Sequence, residues 1–226
     1  MKVFDFFDEA DSNCRCPVIW RCVAPDVEPS PLSEAVTSSA DERLAIARTL
    51  NRLNSTKGST RRRIKWEKRA TVTRYSDGTI PVVYFARDPQ TAITECFHWA
   101  SRRIKPPEGS YEITLKVFSV RFDGHLKDLE ALTPPCMDLV HGTNYDCCNK
   151  VAELAYEDER LDGLNVRSAR RLDGVNVPVF RETSVGEVID DDICILHVED
   201  NMLTCFLQRQ QFEVVSEDVY SLIAKS

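Results

Sequence analysis

The chain has 226 residues, 42% hydrophobic and 29% charged, a composition that suits a globular domain with a real core and excludes wholesale disorder. Its formal net charge of −7 argues against direct nucleic-acid binding, which needs a basic surface to neutralise phosphates. No apolar run approaches the length that crosses a bilayer, so no membrane partner is expected.

Near the start, Asp5, Asp8 and Glu9 stand where a signal peptide would carry an uncharged core, so a cytoplasmic protein is expected. Delivery into a target-cell cytoplasm by a specialised secretion system would leave the same sequence. Pro17, Pro25, Pro29 and Pro31 make residues 1–32 irregular, apart from one short strand over 18–23 that carries Arg21. Residues 33–53 read as a helix, because Leu44, Ala47 and Leu50 recur at helical spacing. The basic stretch 57–65 reads as a loop. The wider run from Lys57 to Arg69 is a solvated surface, an attractor of a dinucleotide or, least of all, a nucleic-acid contact.

A compact β-type run follows over 80–86, with Pro81 at its edge. Asp88-Pro89 then announces a helix, aspartate as N-cap and proline at the first helical position. That helix is expected to reach 103, with Ala92, Ile93, Cys96, Phe97 and Ala100 on one apolar face. Residues 111–122 read as a long strand whose apolar face switches between Val117 and Phe118, which implies burial on both sides or a bulge. A second helix is expected over 144–159, with Val151, Leu154 and Ala155 inward. Further strands are expected over 164–167, 175–180, 193–198, 203–207 and 212–215, then a short helix after Ser216. Between them, the acidic stretch 187–192 could pair with the basic run or with a basic partner. Strands and helices do not alternate regularly, so the fold class is α+β rather than a doubly wound parallel sheet. A single structural domain is expected, with residues 1–69 as an N-terminal extension packed on a core over 70–226.

Nine cysteines, an odd number, suit reduced thiols better than a disulfide framework. Zinc between Cys14-x-Cys16 and Cys147-Cys148 is the alternative, but neither spacing is that of a zinc knuckle, and no metal is expected. His125, His141 and His197 have no neighbouring metal-type partner in sequence. Cys96 and His98 cannot form a nucleophile pair, because residues two apart on a helix point different ways. There is no glycine-rich phosphate loop of the Walker or Rossmann kind.

Two segments stand out. One opens with Arg74-Tyr75-Ser76-Asp77-Gly78, continues through a strand ending Tyr84-Phe85-Ala86, and reaches Thr91-Ala92-Ile93-Thr94-Glu95. Arg74, Tyr84 and Glu95 follow one another at intervals of ten and eleven residues. The other reads Gly163-Leu164-Asn165-Val166-Arg167-Ser168-Ala169-Arg170 and leads into the apolar strand that contains Asn176. Taken singly, each residue has an ordinary reading: Glu95 as a surface carboxylate, Tyr84 as core, Ser168 as a loop hydroxyl, Arg74 as a solvated charge.

In this order and at these intervals, the segments resemble the RES domain, a family named for an arginine, a glutamate and a serine. Arg74, Tyr84, Glu95 and Ser168 fall on its characteristic positions. The resemblance spans residues 70–185, with Trp20-Arg21 upstream. It implies an ADP-ribosyltransferase-like split β-sheet core with flanking helices. It also implies an enzyme that breaks the bond between nicotinamide and ribose in NAD⁺, so that NAD⁺ is substrate and no cofactor is required. Family members commonly act as growth-inhibiting toxins checked by an Xre-type helix-turn-helix antitoxin. The ADP-ribose goes to inorganic phosphate (NAD⁺ phosphorylase) or water (NAD⁺ glycohydrolase). Protein ADP-ribosyltransferase activity and a catalytically silent nucleotide- or partner-binding module are the alternatives.

The chemistry accounts for the residue types. Departure of nicotinamide leaves a ribosyl cation akin to the oxocarbenium ion of glycoside hydrolysis, which a carboxylate such as Glu95 stabilises. Arg74 suits bidentate contact with the diphosphate. Tyr84 can stack on nicotinamide or donate to a phosphate or ribose oxygen. Ser168 offers a small hydroxyl to phosphate or ribose, and Arg21 is a candidate second phosphate clamp.

Overall fold

The apolar run of residues 18–23 lies in the middle of the sheet, far from the edge its place in the chain suggests. The structure, a computed structural model, describes residues 7–8, 10–23, 66, 72–101, 111–130, 132, 137–140, 145–199, 202–207 and 210–213. The helix expected over 33–53, the basic stretch 57–65 and the helix expected after Ser216 lie outside the described residues.

The strands are β1 (Val18–Val23), β2 (Val83–Ala86), β3 (Tyr111–Phe122), β4 (Leu126–Asp128) and β5 (Gly163–Arg167), then β6 (Val175–Val179), β7 (Val185–Glu199), β8 (Met202–Leu207) and β9 (Gln210–Glu213). Among the described residues the α-helices are α1 (Pro89–Ser101), α2 (Met137–Val140) and α3 (Asp146–Glu157). One sheet of nine strands runs in the order β4-β5-β6-β2-β1-β3-β7-β8-β9. Its pairings are antiparallel except that of β4 with β5. The class is therefore α+β. Pairing is continuous along the order, so the split implied by the resemblance does not take the form of a gap between strands.

β1 pairs with both β2 and β3, placing Trp20 opposite Ala86 and Ile19 opposite Val120. Residues 18–23 are thus an integral strand of the sheet. Pleat alternation sends Trp20 and Cys22 to the face covered by α1, where Ile93 and Phe97 meet Leu115, Val117 and Cys194. Ile19 and Val23 go to the other face with Val83, Phe85, Phe118 and Val120. Further along the first face, Val151, Ala152 and Ala155 of α3 pack on Leu164 and Val166 of β5. Each fully buried aliphatic or aromatic side chain in these layers contributes about 1.5–3 kcal/mol.

The face switch in β3 reflects burial on both sides, since Leu115, Val117, Phe118, Val120 and Phe122 are all buried. Its register against β7 also shifts between Ser119 and Phe122. β2 is shorter than the apolar run 80–86 suggests. The Ser76 hydroxyl donates to the Ile80 carbonyl at 2.7 Å, holding that end of the run in the preceding turn. The acidic stretch 187–192 is part of a strand: β7 starts at Val185, with Asp190, Asp191 and Asp192 opposite Ser119, Phe118 and Val117. A long partner strand overrides the low β-propensity of aspartate there, and Lys116 Nζ pairs with Asp191 Oδ2 at 2.9 Å. The two cysteine pairs occupy opposite faces, Cys14 and Cys16 beside Leu126, Cys147 and Cys148 in the first turn of α3, so they do not converge on one ion. Among the described residues no group of three or more His, Cys, Asp and Glu is placed to hold a metal, and no helix is long and apolar enough to cross a membrane.

Candidate active site

The site is built where the start of α1 meets the loop between β5 and β6. Asp88 caps the helix as its sequence predicts, its Oδ1 accepting the Thr91 backbone N–H at 2.9 Å and its Oδ2 the Thr91 hydroxyl at 2.6 Å. Arg171 of the loop donates to Asp88 Oδ1 at 2.6 Å and to Thr91 Oγ1 at 3.0 Å. Loop and helix are thereby tied together. Ser168 N–H donates to the Gly174 carbonyl at 2.8 Å, closing the loop. Gly174 fits because a Cβ there would lie 2.7 Å from Thr91 Oγ1 and 3.1 Å from Ser168 Cβ.

Farther along α1, Glu95 faces this loop. Its Oε1 accepts the Ser168 hydroxyl at 2.7 Å and the Asn176 amide Nδ2 at 2.7 Å. Ser168 Oγ in turn accepts the backbone N–H groups of Arg170 at 3.0 Å and Arg171 at 3.2 Å. A serine hydroxyl has one proton and two lone pairs. All are engaged, and Ser168 is fully buried. The Ser168 hydroxyl is directed at Glu95.

Arg74 sits in a turn closed by Thr73 N–H donating to the Ser76 carbonyl at 2.8 Å. Its Nη1 donates to the Leu139 carbonyl at 3.1 Å, and its guanidinium carbon lies 5.1 Å from the centre of the Tyr145 ring. Burial works against its charge, but Tyr75, Cys148, Glu95 and Tyr145 outweigh that and push its pKa up, so the guanidinium stays cationic. Tyr84 holds the same turn. Its hydroxyl accepts the Tyr75 backbone N–H at 2.9 Å and shares a hydrogen bond of 2.8 Å with Thr73 Oγ1.

Tyr75 and Ser76 are themselves buried. Tyr75 reaches the Leu139 carbonyl at 3.4 Å, and Ser76 bridges its own turn by accepting from Gly78 N–H at 3.1 Å. Gly78 adopts φ 98°, a left-handed conformation open to glycine at little cost. This motif region therefore serves to present Arg74.

The structure brings Arg74, Tyr84, Glu95 and Ser168 into one neighbourhood, through the Tyr84 clamp on the Arg74 turn, the reach of the Glu95 charge to the Arg74 guanidinium, and the Ser168–Glu95 hydrogen bond. It does not bring Arg21 there. Arg21 shares its side of β1 with Ile19 and Val23, facing away from α1, with its guanidinium carbon 5.7 Å from the Phe85 ring centre. Its Nη1 donates to the backbone oxygen of Tyr84 at 3.5 Å. The pleat decides this, and the sequence alone does not show which pleat position faces the site.

Asn176 was missed as a site residue. Its signal was legible, a lone amide within Val175-Asn176-Val177-Pro178-Val179. His98 is buried, and Arg170 Nη2 lies 3.0 Å from its Nε2. An arginine can only donate, so Nε2 accepts and this imidazole carries its proton on Nδ1 if neutral.

Comparison with known proteins completes the picture. No curated protein matches the chain. The profile of the RES domain matches residues 46–196, a span that contains Arg74, Tyr84, Glu95, Ser168 and Asn176 but not Arg21. With two-thirds of its length covered by that profile, the chain belongs to the RES domain family.

Proposed function

We propose that the chain cleaves NAD⁺ between nicotinamide and ribose, passing ADP-ribose to phosphate or water, and that it acts as a growth-inhibiting toxin. The RES family is associated in general with NAD⁺-processing enzymes and with antitoxin partners, which supports the class of reaction. The observation that carries the reading is the Glu95 carboxylate, held at one oxygen by Ser168 and Asn176, with the partly buried Arg74 cation near enough to feel its charge.

As the glycosidic bond lengthens, positive charge grows on the ribose and nicotinamide leaves neutral. A carboxylate fixed beforehand stabilises that charge without reorganising during the step. Arg74, kept cationic, suits the diphosphate. Tyr84 acts through the turn that carries Arg74. We assign the core as ADP-ribosyltransferase-like on the same basis, and an Xre-type helix-turn-helix antitoxin as the natural partner.

The test is nicotinamide release from NAD⁺, with and without inorganic phosphate, by wild-type protein and Glu95→Gln. Release by wild type, reduced by about 10²-fold or more in the variant, is the expected result. Folded wild-type protein that releases no nicotinamide in either buffer overturns the reading. Stimulation by phosphate assigns phosphorolysis, and its absence assigns hydrolysis.

A further inference from the structure

We infer that Asn176 is a positioning residue for this reaction, one that locks the Glu95 carboxylate so that Oε2 alone is offered to the substrate. The inference rests on the NAD⁺-cleaving reading above. Asn176 lies within the sheet, between Ala86 of β2 and Val166 of β5, and is 8% exposed. A buried amide among valines is costly unless its hydrogen bonds are made. Here Nδ2 donates to Glu95 Oε1 at 2.7 Å, the oxygen that already accepts the Ser168 hydroxyl at 2.7 Å.

A carboxylate oxygen has two lone-pair directions, and these donors fill both on Oε1. The terminal torsion of a glutamate is otherwise broad, so one hydrogen bond leaves the plane of the carboxylate free to swing. Two donors from separate elements, the loop after β5 and the strand β6, remove that freedom. Neither touches Oε2.

The experiment compares NAD⁺ cleavage by wild type, Asn176→Ala and the isosteric Asn176→Asp, with folding checked by melting temperature. For Asn176→Ala, kcat should fall by about 10²-fold with KM changed less than about threefold, since a misplaced group loses rate before affinity. For Asn176→Asp, the new carboxyl can donate to Glu95 only while protonated. Activity should therefore be lost at neutral pH and partly recovered as the pH falls, moving the optimum to the acid side.

Should Asn176→Ala turn over like wild type, or Asn176→Asp lose activity equally at every pH, the positioning role is wrong. Wild-type protein that cleaves no NAD⁺ removes the reading beneath it, and this inference with it. Should Asn176→Ala fail to fold, the pH profile of Asn176→Asp decides alone.

Discussion

The Arg171 guanidinium lies 2.6 Å from the Asp88 carboxylate, joining the loop that holds Ser168 to the cap of the helix that carries Glu95. Both partners of the Ser168–Glu95 hydrogen bond are thus fixed to each other by a contact outside the bond itself. Asp88→Ala removes the cap and the ion pair together. Loss of the cap costs about 1–2 kcal/mol, and the partly exposed pair adds little. Chemical denaturation should show that loss, with Asp88→Asn, which keeps a capping oxygen, closer to wild type. Equal stability of Asp88→Ala and wild type would show that the cap does not anchor α1.

Ser168→Ala is expected to do more harm than its size suggests. It removes a donor to Glu95 and leaves the backbone N–H groups of Arg170 and Arg171 without their acceptor. Each buried group so orphaned costs about 1–3 kcal/mol. The melting temperature should fall and nicotinamide release should drop at least about tenfold. A stable and fully active Ser168→Ala protein contradicts the geometry described here.

Tyr84→Phe keeps the ring and removes the hydroxyl that holds Thr73 and the Tyr75 N–H. Stability should fall by about 1 kcal/mol. Because the turn presents Arg74, the KM for NAD⁺ should rise more than kcat falls. Steady-state kinetics separates this from a role of the hydroxyl in the chemical step, which would lower kcat at constant KM.

The two arginines separate sequence from structure most sharply. Arg74→Lys should raise the KM for NAD⁺ by roughly tenfold, because a lysine cannot reproduce a bidentate contact with phosphate. Arg21, on the opposite face of the sheet, should tolerate Ala with a KM within about twofold of wild type. A large KM effect from Arg21→Ala on folded protein would restore it as a phosphate clamp.

Gly174→Ala forces a methyl to within 2.7 Å of Thr91 Oγ1 and 3.1 Å of Ser168 Cβ, whereas at Gly186 the nearest atom, Arg121 Cβ, is 3.3 Å away. The first substitution should cost about 1–3 kcal/mol and lower activity through Ser168. The second should do neither to a comparable extent. Thermal melts and nicotinamide release on the pair distinguish a crowded site from a general intolerance of loops and strands to alanine.

Local chemistry made much of this protein legible from its residues in order. Asp88-Pro89 set the start of α1, hydrophobic periodicity marked β3 and α3, and the intervals among Arg74, Tyr84, Glu95 and Ser168 identified the family. Those signals depend on neighbours within a few turns of chain. Contacts between distant segments decided the rest. Only pairing against β3 turned Asp190–Asp192 into strand, only the pleat of β1 sent Arg21 away from the site, and only the meeting of β6 with α1 gave Asn176 to Glu95. An amide's hydrogen-bond partner and a side chain's face depend on which strands become neighbours, a consequence of burying the whole apolar surface at once that no short stretch of sequence carries.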